Sequence, residues 1–253
     1  NPEPIARNLA ALTAGIAQNQ AHVGLATDGD ADRIGLMDEN GVFINQLQVF
    51  ALLLLYLLEV RGKRGPVVKT VTTTAMAPKL AKLYNIPVYE TPVGFKYVGP
   101  KMMETGAIMG GEESGGFGFA GHIPERDGVL AGLFLLDLMI KLNKSPSELI
   151  TYLYSLVGPH YYDRIDMVLQ ASQREETIAR VKAARPQRIA GLKVTQVDTL
   201  DGFRYMLEDG GWLLIRFSGT EPLVRVYTET TDKSRVAAIL ADGKRLVESG
   251  AVA

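Results

Sequence analysis

The hydrophobic and polar positions of the chain fall into blocks whose period changes along its length. Residues 5–18, after Pro4, read as a helix, and "HVGLAT" and "RIGLMD" as two short strands on either side of an acidic loop. "DENG" supplies a turn and "VFI" a third short strand. Residues 47–60 follow as a helix. It contains the longest apolar run, "VFALLLLYLLEV", which is shorter than the roughly 20 residues of a bilayer span and so reads as a buried helix. The β-branched stretch "PVVKTVTTT" predicts a strand, 78–84 a helix and "IPVYE" a strand. "TPVGFKYVGPKMMET" reads as a loop running into a helix, and "AIMGGEES" as a strand ending in a glycine-rich loop. Helices at 127–142, with Asp127 as candidate cap, and at 147–156, opened by "SPSE", close this part. Strands alternating with helices predict an α/β layer with mostly parallel strands.

Near "VGPHYYDRIDMVL" the pattern changes. A strand leads to a charged helix at 174–184, then "GLKVTQVD", "GFRYMLED", "GWLLIRF" and "LVRVYTET" read as strands separated by turns, and a helix at 233–248 ends the chain. Consecutive strands with two helices predict a small α+β domain with an antiparallel sheet, its boundary near 158–159.

Composition changes this picture little. The chain has 253 residues, 47% hydrophobic and 22% charged, enough for one large or two medium domains. A net charge of −1 with no Lys/Arg block gives no electrostatic footprint for nucleic acid or an anionic membrane. The absence of cysteine excludes disulfide scaffolds and thiolate metal sites and fits a reducing cytoplasm. The opening "NPEPIARNLAAL" is neither a signal peptide nor an initiator Met, which points to a truncated or processed chain.

Three loops carry candidate chemistry. "LATDGDADRIG" puts Asp28, Asp30 and Asp32 on alternate positions, with Arg33 next. Carboxylates this close raise one another's pKa unless a cation sits among them. A bent loop can aim all three at one hard divalent ion, and Arg33 can grip a phosphate bound to the same ion. An EF-hand would also place acids at these spacings, ending on Glu39, but its sixth position needs Gly and here is Arg33. "GGEESGGFGF" offers Glu112, Glu113 and Ser114 between glycines, a composition suited to sugar hydroxyls. "RFSGTEPLVR" combines Arg216 and Arg225 with Ser218, Gly219 and Thr220, a composition suited to phosphate. Thr91 and Lys96 in "TPVGFKYV" are weaker anion candidates. His22 and His160 read as structural, and His122 as a candidate for ligand contact.

Together "DGDADR", "TPVGFKYV", "GEESGG" and "RFSGTEP", in this order, resemble the α-D-phosphohexomutase family, the phosphoglucomutases and phosphomannomutases. The resemblance covers essentially the whole chain. It implies residues 1–45 as the end of a second domain, 46–157 as a complete α/β/α third domain with a mixed sheet, and 158–253 as a small α+β fourth domain with an antiparallel sheet and two helices. It also implies that hexose 1-phosphates and 6-phosphates interconvert through a hexose 1,6-bisphosphate made by a phosphoserine. In this scheme Asp28, Asp30 and Asp32 would hold Mg²⁺, Arg33 would steady the transferring group, and Lys96 would be the proton-transfer partner. Glu112 and Ser114 would hold sugar hydroxyls, and Arg216, Ser218, Gly219 and Thr220 the phosphate not being transferred, with Arg225 beside them. The family's nucleophile lies in a "TASHNP"-like loop, and no serine here precedes His-Asn. The chain is therefore expected to be a C-terminal fragment, inactive without its N-terminal domains; the alternative is a non-catalytic sugar-phosphate binding module. Glu113 resembles the glucose/mannose type more than the glucosamine type.

Overall fold

The longest apolar run becomes the centre of the first half of the chain. Helix α2, Gln46–Leu55, is opened by a capping box in which Asn45 accepts from the Gln48 amide and the Gln48 side chain accepts from the Asn45 amide. Nine of its ten residues are buried, as a helix apolar on every face must be. The structure, a computed structural model, describes residues 3–219 and 221–252. The chain forms two compact units that meet in sequence at Gly158 and Pro159.

In the first unit a 3₁₀ turn, Ala6–Asn8, precedes α1, Ala10–Asn19; Leu9 between them leaves the helical region, so the helix expected over 5–18 comes in two pieces. Strands β1 (Gly24–Thr27), β2 (Ile34–Met37) and β3 (Phe43–Ile44) form an antiparallel sheet of their own. The acidic loop between β1 and β2 is too short for the crossover that parallel pairing needs. The expectation of mostly parallel strands therefore fails here and holds only in the second sheet. That sheet has the order β5-β4-β6-β7. Its members β4 (Val67–Thr70), β5 (Val88–Thr91) and β6 (Met109–Gly111) are parallel, and β7 (Phe117–Phe119) runs antiparallel to β6.

Helices α3 (Met76–Tyr84), α4 (Phe95–Thr105), α5 (Gly128–Leu142) and α6 (Pro146–Val157) complete the unit. Helix α2 packs on α3, α5, α6 and β2, and widens at its end into a π turn, Tyr56–Val60. Two more predicted elements change. The strand expected across 66–74 stops at Thr70, because Thr70 Oγ1 bonds the hydroxyls of Thr72 (3.0 Å) and Thr73 (2.8 Å) and folds the chain into a turn. Residues 117–119, read as loop, form the edge strand β7.

Glu39 fastens the β2–β3 turn to the start of α6. It accepts from Ser145 Oγ (2.8 Å), from Ser147 Oγ and from the Ser147 amide (3.4 Å), while Ser145 caps α6 in a capping box with Glu148. This also disposes of the EF-hand alternative, since Glu39 binds a helix start and strands flank the loop. Burial opposes ionisation of Glu39, but the Ser147 and Ser145 donors outweigh it and hold the carboxyl below its usual range. A depressed carboxylate contributes stability above its unfolded pKa and loses it as pH falls through the folded one. Glu39→Gln is accordingly expected to lose about 1 kcal/mol at neutral pH. In thermal melts the gap to wild type should close as the pH falls below about 4.

The second unit is a six-stranded antiparallel sheet in the order β8-β13-β12-β11-β10-β9. The strands are β8 (Tyr161–Val168), β9 (Arg188–Ile189), β10 (Leu192–Asp198), β11 (Phe203–Leu207), β12 (Trp212–Phe217) and β13 (Leu223–Thr230). Helix α8, Val236–Ser249, packs on β12, β13 and β8, and α7, Arg174–Ala183, packs on α8. Val181, Ile189, Leu213, Ile215, Val226, Ile239 and Leu246 form the core between them. The two-residue strand β9 is not among the elements that the sequence pattern predicts.

Candidate functional site

The acidic loop owes its shape to what surrounds it. Ala31 takes a left-handed conformation (φ 59°), and its carbonyl accepts from the Gly128 amide at 2.9 Å, where α5 begins. A Cβ on Gly128 would lie 2.6 Å from the Arg33 carbonyl oxygen and 2.9 Å from that of Ala31, so only glycine lets the loop lie on the helix start. One ligand oxygen from each of Asp28, Asp30 and Asp32 lies within 4.8 Å of the others. Asp28 is buried and Asp30 exposed. Asp28 accepts from the Arg33 amide (3.1 Å) and from Arg33 Nε (2.5 Å). Burial opposes Asp28 ionisation, yet these two Arg33 donors prevail and keep its carboxyl low. Asp32 is pushed up by burial and by Asp28 and Asp30, against the pull of Arg126. An all-oxygen, carboxylate-rich cluster of this size fits a hard divalent cation.

The glycine-rich loop lies directly against the acidic one. The Ile34 amide donates to the Gly115 carbonyl (3.1 Å), and Arg33 forms a β-bridge with Gly116. Arg126, immediately before the helix predicted over 127–142, joins the two loops. Its Nη2 is 2.6 Å from Asp32 Oδ2 and its Nη1 3.5 Å from Glu112 Oε2. Burial pushes the Glu112 carboxyl up, partly offset by Arg126 and by the Gly94 amide. Ser114 Oγ is buried without a hydrogen-bond partner. His122 bonds Asp127 Oδ2 (2.9 Å), and Asp127 caps α5 through the Leu130 amide.

Loops after three parallel strands meet here, as ligand sites in open α/β sheets do at strand carboxyl ends. The Val71 amide donates to the Thr91 carbonyl (3.1 Å), Thr73 Oγ1 to that of Gly111 (3.5 Å), and Gly94 to Glu112. Buried Lys69 supports this edge, with Nζ 2.6 Å from Glu90 and 3.1 Å from the Thr73 carbonyl. The lysine inside the apolar run "PVVK" was its only sequence signal. Thr91 Oγ1 donates to the Pro92 carbonyl (3.0 Å). Lys96 is exposed, with Nζ over the Tyr97 ring, and among the described residues it pairs with no loop carboxylate.

The third loop belongs to the second unit. Arg216 and Arg225 stand directly opposite each other on β12 and β13. Like charges in register destabilise a sheet unless partners offset them. Asp201 lies 2.9 Å from Arg216 Nε, while Glu221 and Asp166 (3.8 Å) hold Arg225, whose buried Nε has no hydrogen bond. The Ser218 carbonyl accepts from Arg174 (2.8 Å) and its Oγ from the Glu221 amide (3.2 Å). Gly219 is exposed beside them, and Thr220 lies outside the described residues. Two cations, a hydroxyl and an exposed glycine turn make a surface that an anion can occupy.

Comparison with known proteins shows what the chain as a whole resembles. Residues 45–157 match the family model "Phosphoglucomutase/phosphomannomutase, alpha/beta/alpha domain III", and 176–245 match that of the family's C-terminal domain. A phosphoglucomutase/phosphomannomutase of Thermococcus kodakarensis is 33% identical over 98% of this chain and 52% of its own length. A phosphoglucosamine mutase of Rhodospirillum centenum is 33% identical over 96% of this chain and 48% of its own. A crystal structure from Thermus thermophilus, assigned as a phosphomannomutase, superposes with a TM-score of 0.83 at 36% identity, over 98% of this chain and 51% of that one. The chain spans about half the length of the curated relatives it matches. It belongs to the α-D-phosphohexomutase family.

Proposed function

We propose that this chain is the metal-, sugar- and phosphate-binding part of an enzyme that interconverts hexose 1-phosphates and hexose 6-phosphates through a bisphosphate. The observation that carries this reading is the joining of the acidic loop to the glycine-rich loop through Arg126 and the Arg33–Gly116 bridge. Asp28, Asp30 and Asp32 would hold Mg²⁺, which when bound supplies charge neutralisation for a phosphoryl group. Arg33, anchored through Nε, would turn its remaining nitrogens to phosphoryl oxygens. Glu112 and Ser114 would take sugar hydroxyls, the orphaned Ser114 hydroxyl thereby gaining a partner. Arg216, Ser218, Gly219, Thr220 and Arg225 would grip the phosphate that stays on the sugar, and Lys96 would exchange the hydroxyl proton. A hexose 1,6-bisphosphate would be the intermediate of that reaction, bound in two modes.

In this reading residues 1–45 complete a preceding domain, and the whole protein is cytoplasmic. Among the described residues no helix is long and apolar enough to cross a membrane. Glu113 favours glucose or mannose phosphates over the glucosamine type. None of the chain's eight serines precedes His-Asn, so it should bind hexose phosphates without turning them over. A coupled assay for glucose 1-phosphate conversion is expected to stay at background, while glucose 6-phosphate, and not glucose, raises the melting temperature. Turnover by this chain would overturn the phosphoserine assignment.

A further inference from the structure

Arg126 pairs through Nε with its exposed neighbour Glu125 at 3.6 Å, and its two terminal nitrogens reach one carboxylate in each loop, to which they are not equally committed. Its 2.6 Å contact with Asp32 is a direct charge-assisted hydrogen bond, whereas its 3.5 Å approach to Glu112 is a looser ion pair. The surroundings keep the guanidinium on this line. A Cβ on Gly116 would lie 2.2 Å from Arg126 Cδ, so the glycine-rich loop gives up a side chain to admit the arginine. The Phe95 ring lies 5.9 Å from the guanidinium carbon, and the Asp127 amide is fixed to the Phe117 carbonyl at 2.9 Å. These contacts confine Arg126 to the gap between Asp32 and Glu112, both of which its terminal nitrogens already reach.

The charges give this geometry a direction. Asp28, Asp30 and Asp32 against Arg33 and Arg126 sum to −1, so Arg126 takes the place of a cation at the acidic loop. We propose that Arg126 is a positioning residue that a divalent cation displaces from Asp32 towards Glu112, so that occupancy of the acidic loop is transmitted to the sugar-binding loop. This rests on the reading of Asp28, Asp30 and Asp32 as a cation site. A positive charge beside a ligand carboxylate also weakens metal binding, and by linkage the metal weakens the Arg126–Asp32 contact to the same degree. Arg126 thus lowers metal affinity in return for coupling the two loops.

The test uses the full chain and Mn²⁺ as the metal probe, with affinity measured by electron paramagnetic resonance at fixed ionic strength. Removing the charge in Arg126→Met is expected to tighten Mn²⁺ binding on the order of tenfold. Arg126→Lys, which keeps the charge but cannot span both carboxylates, should bind Mn²⁺ close to wild type. A residue that only held the fold together would weaken binding when lost. In wild type, Mg²⁺ should change amide hydrogen exchange across 112–119, and in Arg126→Met it should not. Unchanged or weaker Mn²⁺ binding by folded Arg126→Met overturns the coupling alone. So does exchange at 112–119 that ignores Mg²⁺ in wild type, a measurement that needs no variant to fold. Failure of wild type to bind Mn²⁺ at all overturns the cation-site reading, and the coupling with it.

Discussion

Replacing Asp30 by Asn is expected to weaken Mn²⁺ binding on the order of a hundredfold, with no loss of thermal stability. The three aspartates differ in what else they do. Asp28 holds the Arg33 amide and guanidinium, and Asp32 holds Arg126, so changing either disturbs the loop as well as the ligand set. Asp30 is exposed, and its carboxylate oxygen completes the trio within 4.8 Å. Asn keeps the shape and removes one charge. Without metal the change relieves repulsion from two neighbouring carboxylates, so the melting temperature should stay level or rise slightly. Calorimetric melts beside Mn²⁺ titrations check both halves. Equal Mn²⁺ affinity in the variant would remove the loop from consideration as a metal site.

The largest stability loss is expected from Leu53→Ala, about 3–4 kcal/mol in denaturant melts followed by far-UV circular dichroism. Leu53 is fully buried in α2, whose neighbours α3, α5, α6 and β2 surround it. Helices closing in from several sides cannot collapse onto the space a truncated side chain leaves, so the cavity remains. A loss under 1 kcal/mol would mean that α2 is packed far more loosely than its burial indicates.

The local order of elements was legible because periodicity and turn chemistry fix it. Residues 47–60 are apolar on every face, Ser145 and Asp127 announce their helices, and the four strands from Leu192 to Thr230 alternate with turns. Pairing partners were less legible. The short loop between "HVGLAT" and "RIGLMD" implies an antiparallel pair, but nothing in these segments says that they form a sheet of their own with β3 rather than joining the parallel one, since partners are set by tertiary contacts. Strand β7 was hidden because its pattern, Phe-Gly-Phe, has the composition of a glycine-rich loop. In the site, the aspartates and Arg33 were readable because they sit together in sequence. Arg126 was not, because its partners Asp32 and Glu112 are distant in the chain and "PERDG" reads as an ordinary helix start. Lys69 was missed for the same reason, its meaning depending on Glu90 and the Thr73 carbonyl.

The central claim, that this chain binds phosphorylated sugars through the loops named above, is tested most directly by calorimetric titration of glucose 1,6-bisphosphate with Mg²⁺ present, into wild type and into Arg216→Ala. Arg216 faces Arg225 across the sheet, and removing it halves the fixed positive charge of that pair. Saturable binding by wild type that the variant loses is the predicted result. Equal binding by the two proteins would contradict the phosphate assignment, and no binding by wild type would contradict the claim itself.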